Sequence, residues 1–178
     1  LSYRVQFVKI NYKDVISGNT DTQYGILIED TAQLRDRIHA EKVENAYNLA
    51  PEKYNTNQIK AVALFNYMIG NSDWSIQEMR NVKVLISNGQ HILIPFDFDF
   101  SGLVSAKYAI PNPDYKLKST RQRVFLGKMY SDEEMKKVAS HFINQKKATL
   151  RLVKEFNLLN RRCRKDVIKY LKSLYCSI

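Results

Sequence analysis

The chain has 178 residues, 44% of them hydrophobic and 26% charged, with a formal net charge of +10. Those values fit a folded chain of one domain, or one and a half small ones, and exclude a disordered segment. No apolar run reaches the roughly 18 residues that a membrane-spanning helix needs.

The elements follow in chain order. Leu1, Tyr3, Val5 and Phe7 alternate with Ser2, Arg4 and Gln6, the period of a half-buried strand. A turn cluster at 17–21 and a second strand from Tyr24 to Ile28 make residues 1–29 a β-hairpin. Glu29-Asp30-Thr31 ends it and caps a short helix to about Ala40. Residues 41–55 are polar and read as a loop.

Thr56 is the expected N-cap of a helix with Ile59, Val62, Leu64, Phe65, Met68 and Ile69 on more than one face. A short helix that is apolar all round is a buried one. It stops at Gly70-Asn71. Val82 to Ile86 and Gln90 to Phe96 are two strands joined by Asn88-Gly89, the strongest short hairpin signal because both turn residues need positive φ. Residues 103–120 hold Pro111 and Pro113 and form a loop.

The remainder is helical. Ser131 to Glu134 is a capping box opening a helix to about Asn144, and a second helix runs from near Lys147 to Phe156. A last helix spans about Arg161 to Tyr175, with Val167, Ile168, Leu171, Leu174 and Tyr175 toward the core. Segregated strands and helices give an α+β fold rather than a doubly wound sheet.

The charge is uneven. Residues 115–178 carry 17 Lys/Arg against 5 Asp/Glu, and residues 1–114 carry 11 against 13. A basic half suits nucleic acid, an anionic membrane surface or an acidic protein, but solvated helix faces are the preferred reading. Cys163 and Cys176 lie on one helical stretch, roughly 20 Å apart along its axis, too far for a disulfide. His39, His91 and His141 show no metal-ligand spacing. Leu1 is not an initiator Met and the residues after it are no signal peptide, so the chain is expected to be a piece of a longer protein.

The chemistry concentrates between residues 66 and 102. Asp73 follows the buried helix, Asn81 enters the second hairpin, and Asp97 and Asp99 leave it. Pairing around Asn88-Gly89 brings positions 81 and 97 together. In a regular strand Asp97 and Asp99 share one face, where two carboxylates repel unless a cation such as Mg²⁺ or Mn²⁺ sits between them. An Asp, an Asn and an Asp ending a strand are the parts phosphoryl transfer needs: one to accept the hydroxyl proton, two to hold the metal on the nucleotide. The plainer alternative is a strand end with outward acids and a helix C-terminal turn followed by a new N-cap.

Ile94-Pro95-Phe96-Asp97-Phe98-Asp99-Phe100-Ser101-Gly102 resembles the proline-aromatic-Asp-x-Asp segment of the spore-coat protein kinase family, CotH. Gly70-Asn71-Ser72-Asp73 resembles the Gly-Asn-x-Asp catalytic segment of HipA-type kinases, which share the atypical kinase-like fold. The stretch is also similar to a group of bacterial proteins, common in the Bacteroidetes, with Asn-x-Asp-Trp and Asp-Phe-Asp-Phe-Ser-Gly blocks. The match covers about residues 60–103.

The resemblance implies a mostly helical kinase-like C-terminal lobe over 30–178, carrying the catalytic hairpin 82–97. Residues 1–29 would be the end of an N-terminal lobe. By the same resemblance Asp73 is the catalytic base, Asp97 the principal metal ligand, Asn81 the metal-binding Asn and Asp99 a second metal ligand, with ATP and Mg (or Mn) as cofactors. The substrate would be a protein hydroxyl or a small molecule. Relatives of this kind are often exported, so the resemblance is compatible with an exported or periplasmic location, but no residue here forms an export signal.

Three departures stand out. Asp73 and Asn81 are eight residues apart where ordinary kinases have five, no Gly-rich nucleotide loop is present, and no lysine–glutamate pair can be assigned in residues 1–60, Lys9 on the first strand being the nearest lysine. A pseudokinase or interaction module is therefore the alternative to an enzyme, and a basic nucleic-acid-binding domain the third reading. Trp74 either shields the site or anchors the loop as a core aromatic, the latter preferred. Arg80, Arg121 and Arg123 could pair with phosphates or be surface charges.

Overall fold

A computed structural model describes residues 1–47, 49–128 and 130–175. Cys163 is an exposed free thiol, and Cys176 lies outside the described residues. Among the described residues the fold is α+β, with four α-helices and two small antiparallel sheets. No helix among them is long and apolar enough to cross a membrane.

Strands β1 (Val5–Lys13) and β2 (Thr20–Ile28) form the first hairpin, in register Val5↔Ile28 to Lys13↔Thr20. Its expected half-burial is not what forms. Val5, Phe7, Ile26 and Ile28 share one face and remain exposed, because only Phe7 meets a ring from the helical part, Phe156 at 5.4 Å. The hairpin is tied at its root instead. Arg37 donates to Glu29 and to the Ser2 carbonyl, and that pairing holds the Glu29 carboxyl down at about 2.

Helix α1 (Thr31–Ile38) starts on the Asp30 side chain and ends at His39 in a left-handed conformation. The following loop adds a two-residue strand, β3 (Glu41–Lys42), to the second sheet, and Pro51–Lys53 makes one 3₁₀ turn.

Helix α2 (Thr56–Ile69) is capped one residue earlier than expected: Asn55 accepts from the Gln58 amide, and Thr56 is the first helical residue. Its apolar surface all round has a structural cause. Val62 and Ala63 pack on Trp74, Val82, Val84 and Leu93, while Met68 and Ile69 pack on Leu171 and Leu174. Strands β4 (Val82–Ser87) and β5 (Gln90–Pro95) pair around Asn88-Gly89, both at positive φ as the two-residue turn demands. Alternation sends Val82, Val84 and Leu93 toward α2, and Leu85, Ile92 and Ile94 toward Leu34 of α1.

Two helices were expected between 131 and 156, but one continuous helix forms, α3 (Asp132–Glu155), opened by the full Ser131/Glu134 capping box. Asn144-Gln145-Lys146-Lys147 contains neither Gly nor Pro to stop it, and Leu150 and Val153 continue the stripe that packs on α4. Helix α4 (Arg161–Leu174) buries Tyr170, Leu171 and Leu174. Tyr170 was absent from the expected stripe.

Lys60 of α2 is only 4% exposed, yet it is charged. Its ammonium meets Glu134 at 2.6 Å and lies over the Tyr130 ring, which ties α3 to α2. Glu134 is held down at about 2, first by Lys60 and then by the Ser131 capping bonds. Removing Glu134 strands a buried cation and opens the cap, whereas removing Lys60 leaves a half-exposed carboxylate still capped. Glu134→Ala is therefore expected to lower Tm by on the order of 5–10 °C, and Lys60→Met by less than half of that. The folded-state shift is downward from 4.5, so the pair stabilises above that pH and its contribution fades as pH falls toward 2. A pH series of melts should show this acid limb flattened in Lys60→Met. Equal losses in the two variants at neutral pH would contradict the assignment.

Candidate functional site

Two loops carry the acids, and both are fastened to the C-terminal end of α2. The helix stops at Gly70, in a left-handed conformation. Gly102 donates its amide to the Gly70 carbonyl at 3.0 Å, and Leu103 donates to Ile69 at 2.9 Å. The Asp97–Asp99 loop is thus stitched to the start of the Asp73 loop. An added Cβ would lie 2.0 Å from the Tyr170 hydroxyl at Gly70 and 2.5 Å from it at Gly102, so the two glycines admit that phenol between the loops.

A chain of buried amides then sets Asp73. The Asn66 side chain donates to the Val62 carbonyl at 3.0 Å and accepts from the Asn71 side chain at 2.9 Å; the Asn71 oxygen accepts from the Asp73 amide at 3.0 Å. Asn66 and Asn71 are almost fully buried, where an unpaired amide would be costly, so the relay fixes a single loop geometry. Beyond Asp73, Ser75 and Arg80 exchange backbone hydrogen bonds, and Met79 and Asn81 take positive φ. Asn tolerates that conformation readily and Met does not, so Met79 stores local strain.

Asn81 stands opposite Phe96, whose amide donates to its carbonyl at 3.0 Å. Its side-chain nitrogen donates to the Asp73 carbonyl at 2.7 Å and to Asp73 Oδ2 at 2.9 Å. The Asn81 amide nitrogen is therefore engaged in orienting Asp73. Arg80 approaches Asp73 Oδ1 at 3.6 Å and pairs more closely with Glu78 at 2.9 Å.

Asp97 and Asp99 do not lie in a strand, as their alternation suggested. β5 ends at Pro95, and Asp97 takes φ 57°. The acids still meet, because the bend rather than the pleat turns them toward each other. The aromatics that alternate with them are anchors: Phe96 stands edge-on to Tyr3, Phe98 to Phe65 and Phe100 to Tyr108. The Asp97 carboxyl is pushed above its ordinary range by burial first, then by a hydrogen bond shared with Asp99 and by the charges of Asp99 and Asp73. Asp99 accepts from the Phe100 amide and from the Tyr108 hydroxyl at 3.1 Å, and that bond raises the Tyr108 phenol.

Asp73, Asn81, Asp97 and Asp99 thus come together from both loops. Arg121 and Arg123 do not join them. Arg121 pairs with Asp166 of α4 and lies over the Tyr170 ring; Arg123 also lies over that ring and donates to the Met68 and Tyr170 carbonyls. Both arginines fasten the 103–123 segment to the helices. Trp74 is 4% exposed and packs in the α2–sheet core. Lys9 is exposed on β1, away from any carboxylate partner among the described residues.

Asn66, Tyr108 and Tyr170 were not singled out from the sequence, and Asn71 was noted only as part of the 70–73 segment. Asn66 had a signal: an amide in the middle of an apolar helix must find a partner. Tyr108 and Tyr170 had none, since their partners lie 9 and 49 residues away.

Among the described residues no group of three or more His, Cys, Asp or Glu side chains is set to enclose a metal ion. Asp97 and Asp99 form a two-carboxylate donor pair, which suits Mg²⁺ because that ion keeps several waters or phosphate oxygens as its other ligands. The Asp97 carboxyl is raised first by desolvation and then by Asp99 and Asp73, and the repulsive part is what a divalent cation would relieve. No family model, curated protein or solved structure matches the chain.

Proposed function

We propose that this chain carries the catalytic centre of an ATP- and Mg²⁺-dependent phosphotransferase with a kinase-like C-terminal lobe, acting on a hydroxyl of a protein or small molecule. The observation that carries the reading is the convergence of Asp73 with Asp97 and Asp99 from two separate loops, at the cost of an elevated Asp97 carboxyl. Asp73 would accept the proton of the attacking hydroxyl, held in orientation by Asn81 at 2.9 Å. Asp97 and Asp99 would hold the cation, Mg²⁺ or Mn²⁺, which supplies neutralisation of the phosphate charge. Asn81 supports the base here rather than serving first as a metal ligand.

The test separates the roles. Asp73→Asn is expected to lower ATP turnover or self-labelling from γ-labelled ATP by about 10²–10⁴-fold while keeping the thermal shift given by Mg²⁺-ATP. A wild-type protein that shifts with Mg²⁺-ATP but transfers no phosphoryl group would identify the non-catalytic module instead. No shift in the wild type would remove the nucleotide reading altogether.

A further inference from the structure

A concave site lies beside the Asp73 loop, at residues 74–77. It has a volume of about 630 Å³, within the range of small-molecule pockets. None of Asp73, Asn81, Asp97 or Asp99 lines it, so it is separate from the acids and shares with them only the chain at Trp74-Ser75.

Its wall is aromatic, with Tyr54, Trp74, Tyr115 and Tyr130 contributing. The charged side chains on it are Glu52 and Lys128, one of each sign. Both are exposed, at the rim rather than the floor. That balance disfavours a phosphate or other strongly ionic ligand, which would require several convergent donors of one sign.

Two groups on this wall lack partners. Tyr54 and Trp74 are each 4% exposed. Neither the Tyr54 hydroxyl nor the Trp74 indole N–H has a hydrogen-bond partner among the described residues. Neither polar end is sealed from solvent, so each can meet an acceptor offered from the cavity.

We propose that this cavity binds an uncharged, ring-bearing small molecule that carries a hydrogen-bond acceptor, its ring against the aromatic wall and its acceptor toward Tyr54 and Trp74. The site stands independently of the phosphotransfer reading.

Trp74 is the single tryptophan of the chain, so intrinsic tryptophan emission reports this cavity alone. The probe is benzamide, titrated into the intact chain, with benzoate as its charged counterpart. Benzamide should quench Trp74 saturably with a dissociation constant on the order of 1 mM, as befits so small a ligand. Benzoate should bind at least about tenfold more weakly, since its carboxylate would be desolvated. Tyr54→Phe should weaken benzamide about fivefold. Ala46→Phe, which fills the cavity, should abolish saturable quenching while far-UV dichroism stays native; Leu126→Phe serves the same purpose if Ala46→Phe does not fold.

A linear quench without saturation, or equal saturable quenching in the filled variant, overturns the site. Benzoate binding as tightly as benzamide overturns the uncharged class, and an unchanged affinity in Tyr54→Phe overturns the hydrogen-bonding role of Tyr54.

Discussion

Asp97→Asn is expected to melt about 1–3 °C above the wild type in EDTA near pH 7, and below it in saturating Mg²⁺-ATP. The Asp97 carboxyl is raised from its ordinary 3.8 by burial, by Asp99 and by Asp73. A raised carboxyl means that the folded chain binds a proton more tightly than the unfolded one. Stability then falls as pH rises from 3.8 through the folded-state value, and at neutral pH the ionised group is a liability. Asn removes the charge and can donate to Asp99. It also tolerates φ 57°, whereas Ala would add backbone strain and blur the comparison. The gain is small because Asp97, though its carboxyl is partly desolvated, is exposed as a whole and solvent screens the repulsion.

On the proposed phosphotransfer reading, Mg²⁺-ATP should reverse the order. A ligand at a hundred times its dissociation constant adds about 2.7 kcal/mol to the folded state, or roughly 5–10 °C in a chain of this size. Asp97→Asn should forfeit most of that. The crossing of the two melting curves is what distinguishes a metal site from a merely strained acid pair. If Asp97→Asn melts lower than the wild type in EDTA, the repulsion is not there; if both variants gain equally from Mg²⁺-ATP, Asp97 does not hold the metal.

Gly102→Ala is the second large effect, expected to cost about 3 kcal/mol, at the upper end for overpacking, and roughly 6–12 °C in Tm. The new methyl would sit 2.6 Å from the Thr120 carbonyl oxygen, 2.9 Å from Arg121 Cα and 2.5 Å from the Tyr170 hydroxyl. The first two are backbone atoms and cannot swing aside. Arg121 is in turn held by Asp166 and the Tyr170 ring, so the segment resists displacement. Tyr170→Phe removes one clash of the three and should not rescue the variant. Gly18→Ala, with nothing within 4 Å of the added carbon, bears only the left-handed backbone penalty of about 1 kcal/mol and is the matched control. Urea unfolding of these variants checks the ranking, and a Gly102→Ala protein as stable as Gly18→Ala would show that the two loops are not locked as described.

Gly102 also bears on the site. Its amide bond to Gly70 joins the loop of Asp97 and Asp99 to the loop of Asp73. On the proposed phosphotransfer reading, displacing it should weaken the Mg²⁺-ATP response even in molecules that fold, because positioning errors near 1 Å carry large catalytic costs.

Much of the local architecture was legible in the sequence, for reasons that are themselves local. Asn88-Gly89 specified a two-residue turn, and that turn fixed the pairing that puts Asn81 opposite Phe96. Asp30, Ser131-Glu134 and Gly70 marked helix ends through bonds made within a few residues. The apolar surround of residues 59–69 announced a buried helix. Less legible was where α3 would end, since no breaker separates 144 from 147 and only contact with α4 rewards the continuation.

What the sequence by itself determined is the set of elements, the turn between β4 and β5, and the order in which the acids occur. Tertiary structure alone decided that Asp73 and Asp97 feel one another, that Asn81 spends its amide on Asp73, and that Tyr170 wedges between two glycines 32 residues apart. It also decided that Arg121 and Arg123 serve α4 rather than the acids. Turns and caps are closed by neighbours along the chain, so short patterns encode them. Charge repulsion, steric fit and cavity walls depend on distances through space, and those exist only once the loops have docked on the end of α2.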